Sequence, residues 1–325
     1  LYSDKGSINN NDAQSYGGGV YVIHGSTFDM DLGSYTCLEP RCSRLYNNDA
    51  NAGNGGGVYL NSSHMWLDNT FVENNIGNLG GGVYAYDSNL TVRNSLFTRN
   101  HATSGLGYGI RLWSGSSMDG SGNTFAYNAA GGDVNGRAID LTSASLGLDC
   151  SIIWGHAVSI SPAGQDVTYS DVQGGYAGTG NLDVNPQFVA PGSSDFHLQL
   201  TSPAIDRCLS GRSPDFDAER RPIVQHTAAS PYDMGADEAS LPRVGLNGAS
   251  CAYGTVQQAV NAATDGDIIQ IASGVYFEHV SVQNKDITLA GGYDSTCAAA
   301  GTDPTRIEGS VGNDTTLMVH NSDVT

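Results

Sequence analysis

Apolar and polar residues alternate with period two over short stretches along most of this chain. "GVYVIH" at 19–24 and "NLTVRN" at 89–94 put Val, Leu or Ile on one face and polar or aromatic residues on the other. Alternation of this kind predicts half-buried strands. The pattern also recurs. "GGGVY" occurs at 17–21, 55–59 and 80–84, with a worn copy, "LGYGIRL", at 106–112. Aligned on Val20, Val58, Val83 and Ile110, the intervals are 38, 25 and 27 residues. A second motif, an apolar residue followed by x-x-Asn, reads "INNN", "LYNN", "FVEN", "FTRN" and "FAYN", ending at Asn11, Asn48, Asn74, Asn100 and Asn128. One interval is long in both series, and the excess falls on "GSYTCLEPRCSR", 33–44, which reads as a loop inserted into one repeat.

A period near 26 with two or three strands per repeat lacks the 3.6-residue periodicity of helix-pair arrays. Stacked repeats would set like residues over like at about 4.8 Å. The inward aliphatics would form one continuous core, and the recurring Asn an amide ladder. The fold class expected is all-β: a right-handed parallel β-helix, a solenoid, with a short N-terminal-type capping helix. A β-sandwich with accidental repeats is the alternative. The 43 glycines, in a composition rich also in Asn, Ser and Thr, suit short strands joined by tight turns.

Charge narrows the partners. Fourteen Lys and Arg against 33 Asp and Glu give a formal net charge of -19, a surface that repels nucleic acid and anionic lipid. No run of 18 apolar residues occurs, so no membrane insertion is expected. The six cysteines, Cys37, Cys42, Cys150, Cys208, Cys251 and Cys297, form no CxxC pair. An even count without metal spacing predicts disulfides and an oxidising compartment, with buried free thiols as the alternative.

The paired "GGGVY" and "FxxN" motifs resemble the repeats of polymorphic-outer-membrane-type bacterial surface proteins. The stretch 185–238 is similar to the C-terminal end of secreted choice-of-anchor Q β-helix proteins, through "SPAID" (202–206), "RRP" (220–222) and "DMGADE" (233–238). The resemblance implies an extracellular or cell-surface β-helix protein with no assigned activity.

The organisation expected is β-helix coils over 1–200, a C-terminal-type end segment over 201–240, a linker over 241–250, and an N-terminal-type cap helix with first coils over 251–325. In the last segment Thr255 and Gln258 fit a capping box, and Val256, Ala259, Val260 and Ala263 line one helix face. The resemblance places such a cap at the start of a domain, yet here it follows the end segment. The terminal "NSDVT" aligns with "DSNLT" at 87–91, so Leu1 would supply the next inward aliphatic, the equivalent of Val92. Read as 251–325 then 1–240, the chain forms one capped β-helix. A period of a tandem protein, a circular permutant and a fragment of two adjacent domains all fit this order. In it the cysteines fall into neighbouring pairs: Cys251 with Cys297, Cys37 with Cys42, Cys150 with Cys208.

Catalytic motifs are incomplete. "GVYFE" at 274–278 matches the G-x-Y-x-E opening of pectin-type esterases, but the later motifs with two Asp and an Arg are missing. The three-Asp set of polygalacturonase-type hydrolases is also missing, "WGHAV" (154–158) and "RIEG" (306–309) being partial echoes. "DFDAERR" at 215–221 carries the charges a lyase would need, but the resemblance makes it part of the end segment. The histidines form no HExxH or His-x-His pair. No cofactor is expected. Asp265 and Asp267 in "TDGD" have ligand chemistry for Ca²⁺, with a plain turn as the ordinary reading. If Val20, Val58, Val83 and Ile110 point inward, then Tyr21, Tyr59, Tyr84, Arg111 and Asp140 form one outward column, with Trp66 and Trp113 either flanking it or filling gaps in the core. Such a column either stabilises its sheet or offers a surface for ligand or assembly: sugar rings or a neighbouring filament. The functional expectation is a structural or adhesive protein that self-associates end to end or in tandem and possesses, at most, a polysaccharide ligand. A carbohydrate-active enzyme is the alternative.

Overall fold

The computed structural model describes residues 6–30, 43–128, 136–199, 201–205, 207–208, 232–237, 244–277, 280–294, 296–299, 301, 304–308 and 316–325. These are mostly strands, in sheets that are largely parallel, with one α-helix, Val256–Ala262. The chain divides into two compact units, 1–219 with 225–239, and 220–224 with 240–325.

In the first unit the chain visits three parallel sheets in rotation. The first sheet stacks Val20–Ile23, Val58–Asn61, Val83–Tyr86, Ile110–Trp113, Arg137–Thr142 and Val158–Ser161. The second stacks Thr27–Met30, His64–Asp68, Asn89–Arg93, Ser117–Ser121, Ser145–Asp149 and Asp166–Thr168. The third stacks Ser7–Asn9, Ser43–Tyr46, Thr70–Glu73, Leu96–Thr98, Thr124–Ala126, Ile152–Trp154 and Asp171–Val172. Of the inserted segment 33–44, only Ser43 and Arg44 lie among the described residues, and they belong to a strand rather than a loop.

Each strand's apolar alternate points to a shared interior. Val58, Val83, Ile110 and Ile139 are fully buried over one another, as are Leu45, Val72, Phe97, Phe125 and Ile153 in the third sheet. Phe97 and Phe125 stack at 4.7 Å between ring centroids.

The corners between sheets turn on single residues in the left-handed backbone region. His24, Ser62, Asp87, Ser114 and Ser143 lead from the first sheet to the second. Asn69, Asn94, Gly122, Cys150 and Tyr169 lead from the second to the third, and Asn10, Asn47, Asn74, Arg99 and Tyr127 leave the third. Asparagine tolerates this conformation best among residues with a side chain, which explains its abundance here.

A second asparagine beside the last corner builds the ladder. Asn11, Asn48, Asn75 and Asn100 each donate a side-chain N–H to the next rung's Oδ1, at 2.9, 2.9, 2.9 and 2.8 Å, ending on Asn128. The backbone N–H groups of Asn48, Asn75 and Asn100 reach the same oxygens at 3.0–3.2 Å. The other amide N–H of Asn75, Asn100 and Asn128 satisfies Leu45, Val72 and Phe97 carbonyls at 2.8 Å. The sequence alignment is off by one residue in one repeat. The ladder uses Asn75, not Asn74, because Val72 faces inward while Phe71 packs on the outside of the sheet.

The ladder stops at His156, whose Nε2 accepts the Asn128 backbone N–H at 3.1 Å. Burial drives the His156 pKa down to about 3.

The described residues between 188 and 237 do not continue the stack. Phe188, Phe196, Leu198, Ala204, Cys208, Met234 and Ala236 cluster with Phe71, Leu96 and Ile152 on the outer face of the third sheet. In "DMGADE", Gly235 sits at φ +95, where a Cβ would lie 2.7 Å from Thr124 Oγ1. The Cys150–Cys208 disulfide, with Cα atoms 5.6 Å apart, fastens this flank to a corner. "RRP" and "DFDAERR" lie outside the described residues.

In the second unit, Thr255 Oγ1 caps the helix by accepting the Gln258 N–H at 3.1 Å. Gln258 Oε1 reaches back to the Gly254 N–H rather than that of Thr255, one residue beyond the expected box. Val256, Ala259, Val260 and Ala263 are buried against Ile269, Ile271, Val280 and Val282. Parallel pairs join Ile268–Ala272 to Thr288–Tyr293, Gly274–Phe277 to Thr305–Glu308, and Val280–Gln283 to Leu317–His320. The Cys251–Cys297 disulfide brings its Cα atoms to 5.1 Å. The Cys37–Cys42 pairing lies outside the described residues.

The histidine that ends the ladder yields a pH test. Its depressed pKa means the unfolded chain binds the proton more readily, so its stabilising contribution is complete above about 6.5 and is lost as pH falls toward 3. His156→Asn keeps an acceptor for Asn128 but does not titrate. The difference in unfolding free energy between the variant and the parent should therefore grow on acidification over that window, by up to about 1.4 kcal/mol per pH unit. Denaturant titrations of both proteins at stepped pH measure it.

Candidate functional site

The outward column of the first sheet is placed by the glycines before it. Gly55, at φ +71, would carry a Cβ only 2.3 Å from Val58 O, and a Cβ on Gly56 would lie 2.4 Å from Ile76 O. Only glycine permits the coil to close this tightly, and the closure sets Val58 inward and Tyr59 outward. Register then aligns Tyr21, Tyr59, Tyr84, Arg111 and Asp140 in one column, each opposite the next.

The rings lie face on face. Tyr21 and Tyr59 are 5.2 Å apart and inclined by 27°, and Tyr59 and Tyr84 are 5.2 Å apart and inclined by 8°. Tyr16, which the repeat alignment did not include, adds a further ring 4.8 Å from Tyr59. Trp113 meets Tyr84 and Tyr86 edge-on, at 6.4 and 6.0 Å. Trp66 does not flank this column. It stands in the second sheet between Asp29 and Thr91.

The column is graded in exposure. Tyr16 and Tyr21 are 48% and 51% exposed, whereas Tyr84, Arg111 and Asp140 are 2%, 7% and 0% exposed. Arg111 pairs with Asp140 and donates to Thr142 Oγ1 at 2.9 Å. Arg137 reaches Asp140 Oδ1 at 2.5 Å from the other side. Burial, and then the neighbouring phenols, push the Tyr59 and Tyr84 pKa values up, so these rings stay neutral. Burial lowers that of Arg111 while Tyr84 opposes the shift.

This geometry limits the chemistry. A sugar ring binds aromatic side chains through their faces, but here the faces of Tyr59 and Tyr84 are covered by their neighbours. What remains accessible is phenol edges at the exposed end, where Tyr16 also stacks with Tyr21, ring centroids 6.4 Å apart. The Arg111–Asp140 pair is buried within the protein and not offered to solvent.

The other candidates fall elsewhere. Asp267 Oδ2 accepts the Thr264 N–H at 2.7 Å, which holds its carboxyl below the usual range, and Asp265 Oδ1 accepts the Asp286 N–H at 3.0 Å. Both carboxylates serve turns. Among the described residues no three His, Cys, Asp or Glu side chains converge as a metal site would need. Tyr276 of "GVYFE" is buried and donates to Ala272 O at 2.9 Å, and Glu278 lies outside the described residues. The histidine of "WGHAV" terminates the asparagine ladder. Its 28-residue distance from Asn128 continues the repeat spacing, a signal present in the sequence. Asp171, buried beside Asp183, has its pKa pushed up to about 6 by desolvation. No helix among the described residues is long and apolar enough to cross a membrane.

No family model, curated protein or solved structure matches the chain.

The graded column predicts unequal costs. Asp140→Ala leaves Arg111 buried beside no carboxylate and should lower stability by about 3–5 kcal/mol. Tyr21→Ala, at the exposed end, should cost under about 1 kcal/mol. Urea midpoints for the two variants, with circular dichroism as readout, give the comparison.

Proposed function

We propose that this protein is an extracellular right-handed parallel β-helix with a structural or adhesive role, associating end to end into a fibre. The carrying observation is that its repeated side chains are engaged with their own counterparts one repeat away. Asparagines meet asparagines, tyrosines cover tyrosines, and the arginine meets an aspartate in the next strand. An arrangement of this kind extends by adding repeats, which suits a rod more than a pocket.

Two disulfides accord with an oxidising, extracellular setting. Each closes a long loop, of 58 and 46 residues, and by chain entropy contributes about 4 kcal/mol. That reinforcement suits a protein exposed to extracellular conditions. Polysaccharide contact, on this reading, is secondary and falls to the exposed Tyr16–Tyr21 end or to Trp66, half exposed between Asp29 and Thr91.

Sedimentation velocity over a rising protein concentration, with electron microscopy of the same samples, tests the proposal. Particles of constant width that lengthen with concentration are expected. A single compact species at every concentration would sink the fibre reading and leave a monomeric surface protein or an enzyme to be considered.

A further inference from the structure

Trp66 departs from the rule that repeated side chains engage their own counterparts. It lies inside the second sheet, in a strand, His64–Asp68, that is paired on both sides. Alternation turns Met65 and Leu67 into the core and His64, Trp66 and Asp68 outward. The rest of its outward column is Asp29, Thr91, Asp119, Gly147 and Asp166, with no second apolar side chain. Trp66 is 51% exposed, and among the described residues no aromatic ring or cation lies against the indole.

The groups around it are uncommitted. His64 stands two residues away on the same face, about 6.6 Å along the strand. In the next strand Thr91 lies opposite Trp66, with Arg93 two residues beyond. Among the described residues the His64 ring, the Thr91 hydroxyl and the Arg93 guanidinium make no hydrogen bond or ion pair. Elsewhere in the unit the asparagines, the corner serines and the buried charges are used within the stack.

This pattern has a matching ligand chemistry. The face of an aromatic ring carries negative partial charge and attracts polarised C–H groups, while His, Thr and Arg supply donors and acceptors for hydroxyls. A sugar ring presents both at once. A protein partner would seek a contiguous apolar centre, whereas here one ring stands alone among polar groups.

Charge narrows the sugar. Arg93 is the only Lys or Arg in the six strands of this sheet, and Asp29, Asp68, Asp119, Asp149 and Asp166 share its outward face. A polymer of uronic acids would meet net repulsion there, and a neutral one would not. Resting on the reading above that polysaccharide contact is part of this protein's role, we infer that Trp66, with His64, Thr91 and Arg93, binds a neutral glycan on the outer face of the second sheet. The Tyr16–Tyr21 end is the poorer site, because those rings cover one another.

Calorimetric titration of the full chain with cellohexaose, xylohexaose and chitohexaose, and with hexagalacturonate as the anionic comparison, tests this. At least one neutral oligosaccharide should bind and hexagalacturonate should not. Trp66→Ala should weaken that binding by at least about tenfold, the scale of a modest hot-spot truncation. Trp66→Phe should restore part of it, Thr91→Val with Arg93→Ala should weaken it, and Tyr21→Ala should leave it unchanged. Trp66 is half exposed, so the circular dichroism spectrum of Trp66→Ala should match the parent's. Binding of none of the three neutral probes overturns the inference, as does binding that survives Trp66→Ala or is lost in Tyr21→Ala instead. Tighter binding of hexagalacturonate overturns the neutral class. Sedimentation of the same samples separates this site from the fibre: rods without glycan binding strike the site alone, and Trp66-dependent glycan binding without rods strikes the fibre alone.

Discussion

Parallel pairing between successive repeats forces like residues to lie on like, one strand spacing of about 4.8 Å apart. Every other feature of the first unit answers to that constraint. For aliphatic residues the consequence is favourable without further design, since Val on Val on Ile buries a continuous column. For polar residues it is favourable only if the side chain can both give and accept. Asparagine can, which is why one amide serves as donor to the rung on one side and acceptor from the other. The serines at the other corners work similarly, their hydroxyls accepting a backbone N–H from one repeat and donating within their own.

Charged side chains are the awkward case, because a carboxylate over a carboxylate repels at that spacing. With a net charge of -19 the chain cannot avoid acids on its surface. In the second sheet it separates them. The outward column runs Asp29, Trp66, Thr91, Asp119, Gly147 and Asp166, and no two acids are adjacent. The parallel column from Asp68 places Arg93 next, then Ser121 before Asp149. Asp140 follows the same logic where solvent is excluded, with Arg111 in the neighbouring strand and Arg137 on its own. Tyrosine meets the constraint by a different route, since stacked neutral rings attract at this separation.

Much of this was legible in the sequence because the repeat is itself the record of the constraint. The columns through Val20 and Tyr21 and all but one of the ladder asparagines follow from spacing alone. What escaped was whatever depends on covering from outside the repeat. Nothing in the alternation of "GIRLW" and "AIDLT" distinguishes an outward residue in water from one under cover, so Arg111 and Asp140 read as surface groups and are buried. Phe71 misled the alignment in the opposite sense. Its apolar character suggests an inward position, yet it faces outward because Phe188, Phe196, Leu198, Met234 and their neighbours supply an apolar cover there. Residue type alone suggests the tyrosine face for Trp66, although its place after "SSH" puts it one corner further on, in the second sheet.

The two ends of the asparagine ladder are chemically unequal. At one end the pattern changes residue type. His156 accepts from Asn128, and Gln173 Oε1 then takes the Gly155 and His156 N–H groups at 2.6 and 3.3 Å. A neutral imidazole with no second rung above it and a glutamine from the next strand form a terminator, and the ladder stops. At the other end Asn11 remains asparagine, donating to Asn48 like any interior rung. Among the described residues none donates to its carbonyl. The donor of the last asparagine is therefore met by a change of residue type, whereas Asn11 keeps the hydrogen-bonding chemistry of an interior rung.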